Sequence, residues 1–477
     1  MTLKVSSVIL FSEVFTKKIK GAIRSKEFCK SFRDPLGVSK FSQRGGLFMR
    51  KFLVLATVSL FLLLIVGGYA QKQVVLNVWS SPDNADALQD IAQRFMQKYP
   101  NIKVQVTPIS WEVLYPRMLA DVASGTGAFD VATWDVMTAG AVAKGFVDLE
   151  EFRKQNPDLV DPNWDMKDFD PTIWHIAGIW AGKNIGIPFY CNTMLFYYRK
   201  DLFSDSKLKA EFKKMFGKDL RVPKTWEETV EVAKFFTKKY NPNSPTEYGI
   251  ALMFPRTHTL FYMYLLYFAP YRRSQEGLKK WGPVDLDYGD YFTSDKKPAF
   301  NSPEGVKALE TMKALMPYSP DPLGSDYGET LEYFARGTVA MVPQWTGVWA
   351  TFKTSSALQP IDKKVGVAVM PGGHSVSGNW ALGLNVASKN KREAFMFIQF
   401  ATNKENDKIK FIKYGVAPSR LSTVRDPEVR KADPRVSVFL QTIKTQSHRP
   451  RIPEEPKLED VTIGFFSEIL MGKRPNT

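Results

Sequence analysis

The chain has 477 residues, of which 44% are hydrophobic and 24% charged, with 65 Lys and Arg against 49 Asp and Glu for a formal charge of +16. This is ordinary globular composition; it excludes a disordered, collagen-like or coiled-coil protein, and the length suggests about two to three domains. Two cysteines (Cys29, Cys191) rule out a disulfide scaffold or an all-thiolate zinc site, and four scattered histidines (His175, His258, His374, His448) lack metal-ligand spacing, so no cofactor or metal is expected.

Residues 49–70 have the layout of a secretory signal peptide. Arg50 and Lys51 precede the uncharged run Phe52–Val66, and Gly68 and Ala70 are small residues before a cleavage point ahead of Gln71. Fifteen core residues are short for a membrane span of about 20. Met49 then reads as the natural start and residues 1–48 as a non-native upstream extension. That extension holds ten Lys or Arg and three Asp or Glu, and the signal two more cations, so residues 71–477 keep a net charge of about +7. The mild balance calls for no nucleic-acid partner. Cys191 is the only cysteine of this exported part.

In chain order, Val74–Trp79 predicts a strand. Ser81-Pro82 supplies an N-cap and a proline at the first helical position. Leu88, Ile91, Ala92, Phe95 and Tyr99 recur at helical spacing. Ile102–Val106 alternates as a strand with one buried face. Tyr115, Met118, Leu119 and Val122 mark a helix ending at Gly125, and Phe129–Thr133 is a third strand. This alternation predicts an α/β fold with a parallel, doubly wound sheet. The middle of the chain is more helical: Thr225 and Glu228 form a capping box, and Asn301–Glu304 opens a helix carrying Val306, Leu309, Met312 and Met316. Strands follow at Thr338–Val342, Val365–Met370 and Trp380–Val386, then a Ser388-capped helix through Ala401. No internal repeat or low-complexity linker is present.

Six segments carry a family likeness in order: LNVWSSPDNADALQDIAQRFMQKYPNIKVQV (76–106), GIPFYCNTMLFYYRKDLF (186–203), VPKTWEETVEVAKFF (222–236), FNSPEGVKALETMKAL (300–315), YFARGTVAMVPQWTGVW (333–349) and VGVAVMPGGHSVSGNWALGLNVASKNKREAFMFIQF (365–400). Together they resemble the extracytoplasmic solute-binding proteins of ABC transporters, in the large sugar-binding family that includes maltose-binding protein. The resemblance implies a two-lobe architecture of the periplasmic-binding-protein type II kind, with a multi-strand hinge and an interlobe cleft. Lobe I would take 71–187 and 366–415, and lobe II 188–365 and 416–477, with crossings near Pro188, Val365 and Val416. It further implies a sugar ligand gripped by hinge closure, a membrane permease as partner, an exported monomer, and no catalytic step.

A sugar site needs flat aromatic platforms beside groups that bind hydroxyl pairs, and in open α/β sheets it lies beyond the carboxyl ends of strands. Trp79 with Ser81, Ser110 with Trp111, Trp134 with Asp135, and Asn379 with Trp380 meet that description in lobe I. Asp135 matches the family's carboxylate for hydroxyl groups. Tyr190 and Asn192 at the first crossover, and Gln344, Trp345 and Gly347 after a strand, are the candidates from lobe II and its border; Arg256 and His258 are weaker ones. The run Phe261–Phe268 reads as lobe II core or cleft wall. Aromatic abundance points to an oligosaccharide. Two alternatives stay open: a secreted glycosidase or lyase, for which Asp121, Asp135 and Glu329 are unpaired candidates, and a binder of a non-sugar solute such as a polyamine or a polyol phosphate.

Overall fold

The computed structural model describes residues 73–475, the side chains of residues 353 and 354 excepted. The signal-peptide and upstream-extension readings fall on residues outside this range. The chain opens with β1 (Val74–Ser80), α1 (Pro82–Lys98), β2 (Ile102–Pro108), α2 (Trp111–Ser124) and β3 (Val131–Asp135). A hairpin of β4 (Ile179–Trp180) and β5 (Lys183–Asn184) precedes β6 (Ile187–Tyr190). Then come β7 (Met194–Arg199), β8 (Tyr248–Ile250), α3 (His258–Arg272), α4 (Pro303–Leu315), β9 (Val339–Trp345), β10 (Val365–Ala368), β11 (Ser375–Val376) and β12 (Trp380–Leu384). The last elements used below are α5 (Lys391–Ala401), α6 (Lys404–Tyr414), β13 (Gln446–Ser447) and α7 (Glu455–Leu470).

Two sheets organise the two lobes. The first has the order β2-β1-β3-β12-β6. Its β1 is parallel to both β2 and β3, while β12 runs antiparallel to β3 and β6. The second has the order β10-β7-β9-β8, antiparallel except for the β8–β9 pair. The sequence pattern explains the packing. In β1, Leu76 and Val78 point inward and Val75 and Asn77 outward, the two-residue period of a half-buried strand. In α1, Ala85, Leu88, Ile91, Ala92 and Phe95 form the buried stripe, and Phe95 meets Phe397 and Phe400 of α5 at 5.3 and 5.5 Å. β7 alternates between two cores: Leu195 and Tyr197 join one, Met194 and Phe196 the other. α3 is buried on nearly every face because β11, α4 and α7 surround it, with Tyr264 packed on Phe466 at 4.3 Å.

Strand membership locates the passages between lobes. β6 belongs to the first sheet and β7 to the second, so the chain passes over at 191–193. β10 still pairs with β7, which puts the second passage at 369–379, later than the expected Val365, because Val365–Ala368 completes the second sheet's edge. The chain returns between α6 and α7, through β13, which pairs in parallel with β11.

Several predicted boundaries move by a few residues, and two of the shifts have a visible cause. β9 runs through Pro343 to Trp345, beyond the expected end at Val342. β8 reaches only as far as Met341, so the strand beyond has one unpaired side, where a proline costs no ladder bond. Ser388 does not cap α5, whose N-cap is Asn390, since the Ser388 hydroxyl donates to Asp130 Oδ1 at 2.6 Å.

One buried ionic cluster ties α6 to the end of β6. Lys410 Nζ donates to Asp407 Oδ1 (2.5 Å), to the Phe189 carbonyl, and to Ser419 Oγ (3.5 Å). Asp407 also accepts from the Ser419 amide and hydroxyl and from the Arg420 amide, at 2.8–3.2 Å. Burial alone would raise the Asp407 carboxyl, but the Lys410 charge and these hydrogen bonds hold it below its usual range.

Candidate functional site

β1, β2 and β3 run parallel, so their carboxyl ends lie together, and α1 and α2 start there. β12 enters from the opposite direction with Trp380 directly across from Asp135. In the second sheet, Trp345 at the end of β9 lies across from Met194 at the start of β7, next to the first passage. These chain ends enclose a cavity of about 380 Å³, within the size of small-molecule sites. Its walls include nine of the expected residues: Ser81, Ser110, Trp111, Asp135, Asn192, His258, Trp345, Gly347 and Trp380.

The other six lie elsewhere, each for a visible reason. Trp79 is half-buried and tilts against Phe129 at 4.8 Å. Trp134 points to the opposite face of β3 from Asp135 and is fully buried on Phe146 at 5.9 Å. Tyr190 is buried behind the wall, its hydroxyl 2.8 Å from where a side chain on Gly347 would begin. Gln344 faces inward from β9, its Nε2 donating to Thr330 Oγ1 at 3.2 Å. Asn379 is buried, donating to Ser377 Oγ and Gln446 Oε1. Arg256 is exposed, beside Gly464 of α7.

The aromatic walls hold one another. Trp111 meets Trp380 edge-on at 5.4 Å and lies 6.1 Å from the His258 ring, so a side chain of the first lobe touches one of the second. Trp345 donates its indole N–H to Tyr262 Oη (3.3 Å) and packs directly on Gly378, where an added Cβ would fall 2.6 Å from the ring. Burial pushes the Tyr262 phenol up to about 12, so it stays a neutral hydroxyl.

The charged groups form one line. Arg449, 2% exposed at its side chain, donates from Nη2 to Asp135 Oδ1 and Oδ2 (2.9 and 3.2 Å). Asp135 also accepts from the Met137 amide, so it caps a turn as well as facing the cavity. Arg449 Nη1 lies 3.0 Å from His258 Nε2. A guanidinium only donates, so this ring nitrogen accepts and the proton sits on Nδ1, which donates to Glu459 Oε2 at 2.8 Å. Arg449 Nε has no partner within the protein. Asp83 at the rim is open to water yet closely surrounded by protein, and that crowding raises its carboxyl. Among the described residues no group of three or more His, Cys, Asp or Glu could hold a metal ion.

Sequence reasoning passed over Asp83, Glu112, Tyr327, Gly378 and Arg449. Asp83 adjoins the Ser81-Pro82 helix start, a local signal that could have found it. Arg449 stands in SHRPR, between short elements, and reaches Asp135 only through the tertiary fold. Tyr262 belongs to the aromatic run read as core or cleft wall, and it is both.

Comparison with known proteins follows the same lines. The mannitol-binding protein of Pseudomonas aeruginosa is 24% identical over 408 residues, covering 80% of this chain and 82% of that one. The maltose-bound MalE3 protein of T. maritima superposes with a TM-score of 0.68 at 23% identity, over 84% of this chain and 96% of that one. A solute-binding protein of Agrobacterium radiobacter K84 in complex with ribitol does so with a TM-score of 0.65 at 26% identity, over 85% and 96%. These proteins bind solutes and are not enzymes, and no helix among the described residues is long and apolar enough to cross a membrane. The two-lobe α/β fold and a family match spanning residues 79–408 lead to one conclusion: this chain belongs to the bacterial extracellular solute-binding proteins of ABC transporters.

Proposed function

We propose that the chain captures a neutral sugar or sugar alcohol in the cavity between its lobes, closes on it by hinge motion, and delivers it unchanged to a membrane permease, as a monomer exported by cleavage near Ala70. The observation that carries this reading is the wall chemistry. Trp111, Trp345 and Trp380 offer faces and edges for C–H groups, while the Asp135–Arg449 pair offers an acceptor beside a donor. That combination suits hydroxyl pairs, because the pair's charges cancel. Mannitol, maltose and ribitol, the ligands of the similar proteins described above, are of this class. The volume of about 380 Å³ supports a short ligand over the oligosaccharide that aromatic abundance suggested, being near the lower end of the usual range of about 300–1,000 Å³.

The test is a thermal-shift panel of D-mannitol, ribitol, maltose, maltotriose and spermidine. A ligand that binds only the folded form raises the melting temperature by mass action. A shift with a sugar or polyol and none with spermidine is expected. One observation favours a second reading, a cationic solute: Asp83 and Glu112 join Asp135 on the cavity wall. Spermidine alone raising the melting temperature would select it.

A further inference from the structure

Behind the cavity, a line of hydrogen bonds runs from its wall into the C-terminal helix. Arg449 Nη1 donates to His258 Nε2 (3.0 Å), His258 Nδ1 donates to Glu459 Oε2 (2.8 Å), and Glu459 shares a hydrogen bond with Glu455 one turn earlier on α7. Neither glutamate lines the cavity, and Glu455 is 3% exposed. We propose that Glu455 and Glu459 are positioning residues for the Arg449–Asp135 pair, acting through His258, so that ligand affinity follows the proton count of this line. The proposal rests on the sugar reading of the cavity.

The donors and acceptors fix the direction of the line. Arginine has no acceptor, so His258 is neutral with its proton on Nδ1, and Glu459, receiving that proton's hydrogen bond, is ionised. Glu455 must then be the donor to Glu459, and the two carboxyls hold one proton between them. Burial, then the charge and hydrogen bond of Glu459, push the Glu455 carboxyl up to about 9. Burial works against ionisation of Glu459 too, but the His258 contact, the Glu455 hydrogen bond and the Arg449 charge outweigh it and hold that carboxyl low. The other groups facing the line are Asp135 of β3 and Tyr115 of α2, whose phenol is raised by burial and then by the two glutamates. Trp111 and Tyr262 flank the His258 ring.

One pH limit follows. At alkaline pH, loss of the Glu455 proton sets two buried carboxylates against each other one turn apart. That change loosens the support of Arg449, so affinity falls on the alkaline side.

The experiment measures dissociation constants for D-mannitol, ribitol and maltose from pH 5 to 10 on the full chain, in the wild type and in Glu455→Gln, Glu459→Gln and His258→Gln. Glu468→Gln, in a surface pair with Arg474 on the same helix, is the control. Circular dichroism and melting check that each variant folds. The wild type should lose affinity on the alkaline side and the control should superimpose on it. Glu459→Gln should weaken binding about fivefold at pH 7.5, the size of effect expected of a residue that touches no ligand. Glu455→Gln should lose the alkaline limb, and His258→Gln, which breaks the line between Arg449 and Glu459, should weaken binding at every pH. A wild type that binds but shows a flat profile, or a Glu455→Gln profile with its alkaline limb intact, overturns the proposal and leaves the sugar reading standing. A wild type that binds none of the three overturns both. Should the variants not fold, nitrogen NMR of His258 in the unliganded wild type decides: a proton on Nδ1 alone at pH 7.5 supports the line, and a protonated Nε2 overturns it.

Discussion

Lys410–Asp407 and Arg449–Asp135 are both buried ion pairs, and they differ in how many of their polar atoms are matched. All three Lys410 protons have acceptors, and Asp407 accepts from a lysine, a hydroxyl and two amides. Arg449 leaves Nε unpartnered and leans on a histidine at the edge of an open chamber. The first arrangement joins α6 to the end of β6 and has nothing left to offer a ligand. The second keeps polar capacity unspent beside a cavity. Burying a charge is costly unless it is paired and hydrogen-bonded, so the first pair serves as a structural joint, while the second stands in the cavity wall.

The strongest way to break this contrast is Lys410→Met. Asp407 would be left buried without its cation, at a cost of about 3–5 kcal/mol, read from urea unfolding. Acid tests the same joint more gently. Because the native Asp407 carboxyl is depressed, its stabilisation is complete above the unfolded pKa of about 4 and is lost as pH falls through the lower native value. Unfolding free energies between pH 2 and 6 should show this loss in the wild type and a smaller one in Lys410→Met. At the open pair, Asp135→Asn should cost less stability, about 1–3 kcal/mol, because Arg449 keeps the His258 and Ser377 contacts. It should weaken the best ligand from the panel more than about tenfold, or 1.4 kcal/mol. Trp380→Ala should weaken that ligand roughly tenfold through loss of a ring and its buried area, with folding retained by circular dichroism. Arg256→Ala should be the smallest effect, within about twofold in affinity, since that side chain is exposed on α7's flank; a larger loss would move the ligand's footprint outside the chamber.

The first lobe was legible because its elements obey simple periods. The two-residue alternation of β1 and the helical stripe of α1 are visible without tertiary knowledge, and so is Gly125, which ends α2 in the left-handed region with φ of 65°. Looking at strand ends and the first crossover found about half of the chamber wall. It failed where one residue decides the face: Trp134 and Asp135 are neighbours, yet only one turns toward the cavity. It failed again for Arg449, whose role depends on a chain segment returning from the far end of the sequence. Gln344 and Asn379 look like hydroxyl binders in a string of letters, but the amide nitrogen of each is turned away from the chamber, donating to Thr330 and to Ser377.

Cys191 sits in the first passage between the sheets, 1% exposed, with its thiol pushed well up by burial. It is the sole sulfhydryl of residues 71–477, placed where the backbone leaves one lobe for the other. Thiol-selective reagents have no other thiol there, so their rate of uptake becomes a clock for how often that crossing uncovers itself. The molecule thus carries its own single-atom reporter of breathing, readable by mass spectrometry without any engineered label.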